Sequence, residues 1–168
     1  MDKVRMVAGK TPKQERLNSY FEIALENTPL NVRYVVIWDK PQNGRRGKSY
    51  AKEGYICAPR LTSIAKLWTF LHECAHMLLH NDEVLGDCHP VCREELEADD
   101  HVRAIFKKNG LRPPKNAGFG RYQILVTYLY NDIETGLKVD LWTAKRLKYT
   151  ASGLRDIGAK DWQIPNGL

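Results

Sequence analysis

The spacing of apolar and polar positions divides the chain into several helices and a few strands. In "TPKQERLNSYFEIALEN", residues 11–27, Leu17, Tyr20, Phe21 and Ala24 recur at helical intervals. A helix is predicted there, with Thr11 as N-cap, Pro12 in its first turn and Gln14 closing a capping box. Residues 32–39, "VRYVVIWD", are rich in β-branched and aromatic side chains and predict a strand, with "GYICAP" at 54–59 as its neighbour. The basic, turn-rich "KPQNGRRGKSYAKE" between them reads as a long hairpin loop. Residues 62–81, "TSIAKLWTFLHECAHMLLHN", contain no glycine or proline and predict the most regular helix of the chain. "DEVLGDCHPV" is a loop; Pro90 then opens an acid-rich helix that Gly110 stops. After the break "LRPPKNAGFG", residues 121–134 fit a helix and a strand equally, and 140–150 read as a helix with Leu141, Ala144 and Leu147 in step.

Placed on a wheel, the helix over 62–81 is unusual. Lys66, Thr69, His72, Glu73, His76 and His80 fall, with Ala65, inside an arc of roughly 120°, while apolar residues fill the rest. A helix wrapped so far in hydrocarbon is buried, so its polar stripe must meet something that satisfies it. Histidines 72 and 76 lie one turn apart and can aim ring nitrogens at one divalent ion about 2 Å away, with Glu73 beside the water rather than on the ion.

Two histidines do not hold such an ion tightly, and a third protein donor is expected. Downstream, Ala98, Val102, Ile105 and Phe106 define the inward arc of the acidic helix, and Glu95 sits at its centre. A carboxylate there is costly unless it is paired or coordinated, which makes Glu95 the expected third ligand. Asp99, one turn on, is placed behind a ligating histidine as acceptor for its other N–H, and His80 is read as a supporting residue of the stripe. Tyr50, Tyr55 and Tyr122 are candidate donors to a developing oxyanion.

Composition narrows the setting. The 168 residues are 43% hydrophobic and 27% charged, as in an ordinary globular protein, and predict a single domain. No apolar run approaches the roughly 20 residues of a membrane span, and the N-terminus lacks the apolar centre of a signal peptide, so a cytoplasmic protein is expected. The net charge of +6 comes wholly from residues 107–168, which hold 11 Lys or Arg against 5 acids. That asymmetry suits either a solvated basic surface or contact with nucleic acid, and the basic loop with Arg45, Arg46, Lys48 and Lys52 suits either docking or plain exposure. Cys88, His89 and Cys92 lie within five residues and raise a second metal site, against the simpler reading of a loop with free thiols.

"GYICAPRLTSIAKLWTFLHECAHMLLH" followed by "EELEADD" resembles the ImmA/IrrE-type metallopeptidases, over roughly residues 30–107. The resemblance implies an α+β, zincin-like core with a small sheet packed on the HExxH helix. His72, His76 and Glu95 match the zinc ligands, Glu73 the catalytic base and Asp99 the supporting position. It further implies cleavage of an intracellular protein, such as a transcriptional repressor or regulator of a mobile element or stress response. On this reading the metallopeptidase core covers about 11–109, and a helical basic extension about 110–168. The chain departs from the family in having Cys74 where small or aliphatic residues are usual, in leaving no room for a separate helix-turn-helix domain, and in its segment after 110. The competing expectation is a zincin-fold module that binds DNA or a protein partner with little turnover, as an antirestriction factor would.

Overall fold

The computed structural model describes residues 11–41, 46–80, 90–117 and 119–168, and shows an α+β protein with a small mixed sheet. The first helix, α1, runs Pro12–Glu26, and the Thr11 hydroxyl accepts its Gln14 backbone N–H at 3.3 Å. Gln14 turns its carboxamide to Asn18 instead of closing the capping box. The inward stripe of α1 is Tyr20, Ile23 and Ala24, while Phe21 is 56% exposed. The i, i+3, i+4 set that starts at Tyr20 is the one that meets the core, so the predicted face is turned by part of a step.

Strands β1 (Tyr34–Ile37), β2 (Lys48–Tyr50) and β3 (Tyr55–Ala58) form a sheet in the order β1-β3-β2. The two predicted strands are indeed neighbours, but they pair parallel rather than as a hairpin. A parallel pair needs a crossover, and the connecting segment supplies it while returning as β2, antiparallel to β3. Gly54, at φ +71°, makes the tight return between β2 and β3; a Cβ there would stand 3.1 Å from the Asn31 carbonyl. One face of β3 buries Ile56 and Ala58 completely. On the other face, Tyr34, Tyr55 and Tyr50 are register neighbours whose rings stack in a row.

Helix α2 spans Ile64–Leu79 and α3 Val91–Lys108. Gly110 takes φ +64° just beyond α3, where the sequence placed the stop. The ambiguous segment is helical: α4 runs Phe119–Glu134, and Leu125, Leu129 and Ile133 recur every fourth residue on its buried side. The predicted helix over 140–150 ends early. Only α5 (Leu141–Arg146) forms within it, and a separate helix, α6 (Ala151–Asp156), follows, because Lys148 adopts φ +60° and Thr150 caps a new start. Among the described residues no helix is long and apolar enough to cross a membrane.

Two clusters of buried side chains result. The first gathers α1, the sheet, α2 and the C-terminal half of α3; the second gathers Cys92 and Leu96 of α3 with α4, α5 and α6. Helix α3 therefore belongs to both. Its N-terminus has Pro90 and no side-chain cap of its own. Buried Asp132 of α4 supplies one, accepting the backbone N–H groups of Val91 at 3.2 Å and Cys92 at 2.9 Å. Asp132→Ala is expected to leave both donors unsatisfied and to cost about 1–3 kcal/mol, seen as a fall of several degrees in the melting temperature followed by circular dichroism.

Candidate metal centre

Histidines 72 and 76 lie on the stripe of α2 that faces α3. Their Nε2 atoms stand 3.1 Å apart, Glu95 Oε2 is 3.1 Å from His72 Nε2, and Glu95 Oε1 is 3.6 Å from His76 Nε2. One donor atom from each of the three residues lies within 4.8 Å of the others. The group is positioned to bind a metal ion. Behind His72, Asp99 Oδ1 lies 3.1 Å from Nδ1, which favours the tautomer with its proton on Nδ1 and its lone pair on Nε2. Nitrogen and carboxylate lone pairs this close repel one another unless a proton or a cation stands among them. Two imidazoles and one carboxylate suit zinc and similar divalent ions, so the residues fit such an ion.

The electrostatics agree. Burial lowers the pKa of His72, but the Asp99 and Glu95 carboxylates outweigh it and raise the group to about 9. Burial would raise Glu95; hydrogen bonds from His72 and His76 and the charge of Arg121 hold it instead well below the usual carboxylate range. An ion must therefore displace the His72 proton at neutral pH. Calorimetric titration with zinc in buffers of different ionisation enthalpy is expected to show protons released on binding at pH 7.

Glu73 lies beside the donors, lines the same cleft of about 680 Å³ and is 8% exposed. Burial pushes its carboxyl pKa up, partly offset by His72 and His76. Gly47, just before β2, packs on it so closely that a Cβ would stand 2.6 Å from Glu73 Oε1. His80 closes α2 as its C-cap and reaches α3, its Nε2 lying 3.1 Å from the Glu94 carbonyl. Its ring lies 5.4 Å, centroid to centroid, from that of His76.

The oxyanion candidates lie elsewhere. Tyr50 and Tyr55 belong to the ring stack, and the Tyr122 hydroxyl donates to the Leu147 carbonyl at 3.1 Å; none of the three lines the cleft, whereas Tyr128 does. Arg46 and Lys48 line it as well, Lys52 is exposed in the β2–β3 turn, and Arg45 lies outside the described residues. Cys88 and His89 are also outside them. Cys92 is fully buried, its Sγ donates to the Leu125 carbonyl at 3.3 Å, and burial pushes its thiol up to about 12. Among the described residues, the His72, His76 and Glu95 group is the one arrangement of metal-binding side chains.

Sequence reasoning missed Arg121. Its Nη2 donates to Glu95 Oε2, and its Nε donates to Asp99 Oδ2 at 2.8 Å. The signal was present. Arg121 is the lone charged residue between Lys115 and Asp132, in register with Leu125 and Leu129 on the buried face of α4. Comparisons with protein-family models, with curated proteins and with solved structures found no match.

Proposed function

We propose that this chain is a zinc-dependent endopeptidase with a zincin-like core that cleaves a specific intracellular protein. The observation that carries the reading is the convergence of His72 Nε2, His76 Nε2 and the Glu95 carboxylate, backed by Asp99, with Glu73 on the same cleft wall. A divalent ion held there supplies Lewis acidity, which activates water and polarises a carbonyl. Glu73 takes a proton from the attacking water onto its carboxylate and returns it to the leaving amine as the C–N bond breaks. Among the described residues β2 is an outer strand of the sheet, and Lys48 and Ser49 line the cleft, so its outer edge offers backbone groups to an extended substrate. The resemblance noted in the sequence makes a transcriptional repressor or regulator of a mobile element or stress response the substrate class to examine, in the cytoplasm.

Ion content tests this directly. The purified chain should carry one zinc per molecule and, when added to a cell extract, generate new protein N-termini that disappear after treatment with a chelator. A chain that binds no divalent ion stoichiometrically overturns the proposal.

A second reading, DNA binding through the basic C-terminal third, rests on a different observation. Helices α5 and α6 follow one another across the turn 147–150, with the left-handed Lys148 in it, and Ala144, Leu147 and Leu154 bury them together. This succession resembles a helix-turn-helix, for which the sequence reading left no room as a separate domain. Arg146 and Arg155 are committed to Asp100 and Asp161, leaving exposed Lys138, Lys145, Lys148 and Lys160 as phosphate contacts. Binding to duplex DNA that weakens with salt, and weakens further in Lys145→Glu, would support it.

A further inference from the structure

Arg121 enters the centre from α4, a helix of the second buried cluster, and its side chain is only 16% exposed. Its Nη2 contacts the Glu95 oxygen that lies 3.1 Å from His72 Nε2, and the same nitrogen is 3.4 Å from His72 Nε2 itself. One guanidinium thus touches a donor carboxylate, a donor imidazole and the carboxylate behind that imidazole. Glu73 and Glu95 line the cleft and Asp99 is buried behind His72, and carboxylates withdrawn from water need compensation. A divalent cation and the Arg121 guanidinium are alternative partners for the same Glu95 oxygen.

The sign of its effect on metal binding follows from charge. A carboxylate behind a ligating histidine, as Asp99 is, strengthens the donor. A guanidinium on a ligating carboxylate does the opposite, drawing on the oxygen lone pairs and repelling a cation nearby. Resting on the metal-site reading above, we propose that Arg121 competes with the bound cation for Glu95 and thereby holds down the affinity of the centre. Metal loading is then coupled to the way α4 packs on α3.

The test is a zinc competition titration against a chromophoric chelator, on the whole chain. Arg121→Gln is expected to bind zinc about tenfold tighter or more, and Arg121→Lys, which keeps the charge but loses the fork, to fall between it and the wild type. Equal or weaker binding by a folded Arg121→Gln overturns the proposal and leaves Arg121 as a strut for Glu95. A measurement on the unmutated chain stands apart from any variant's folding: the Arg121 Nε–H resonance, assigned by through-bond correlation to its own backbone, must shift as zinc is added, and an unmoved signal overturns the proposal too. Failure of the underlying reading looks different. In that case the wild type takes up no zinc, or His76→Ala takes up as much.

Discussion

Glu73→Gln is expected to keep one ion per chain and to lower the rate of peptide hydrolysis by about a hundredfold to ten-thousandfold, the range for loss of a general base. The substitution keeps the shape of a side chain that is 8% exposed and pressed against Gly47, so little repacking follows. What it removes is the ability to accept a proton. The three donor atoms belong to other residues, so binding of zinc should be close to that of the wild type. Metal content by mass spectrometry together with the cleavage rate of an identified substrate checks both halves. A Glu73→Gln protein that cleaves at the full rate would remove Glu73 from its assigned role.

His76→Ala is expected to fail at the earlier step. One of three protein donors is lost, and zinc affinity should drop by more than about a hundredfold, beyond the effect of losing a partner that merely orients a ligand. The fold should survive. The His76 side chain is 13% exposed at the cleft wall, while Leu67, Leu71 and Ala75 bury the opposite side of α2. Zinc competition and circular dichroism on one sample separate loss of binding from loss of structure. Unchanged affinity would show that the cation is held elsewhere.

The parts of the fold legible in the sequence are those set by local periodicity. Helix α2 follows from an uninterrupted helical pattern, and α3 from Pro90 and Gly110 at its two ends. The three donors were legible for a related reason, since a polar stripe on an apolar helix and a carboxylate at the centre of an inward arc both demand partners. What escaped depends on partners far along the chain. The parallel pairing of β1 with β3 is a choice of topology that neither strand encodes alone. Phe21 and Ile23 are both apolar, and only the position of α2 decides which is buried. In the sequence Arg121 is one of the 11 Lys or Arg of the basic C-terminal third, with nothing local to set it apart as a partner of Glu95. The acids that claim it sit 26 and 22 positions earlier.

Because α3 is anchored at its start by Asp132 and bears Glu95 one turn later, the order of synthesis matters. A ribosome that has released the chain as far as Gly110 has delivered both imidazoles and the acidic ligand, yet not the Asp132 carboxylate that grips the helix start. The nascent polypeptide thus reaches a stage where all three ligands exist without the frame that arranges them. Maturation of the centre therefore waits for α4, which closes over the helix it steadies.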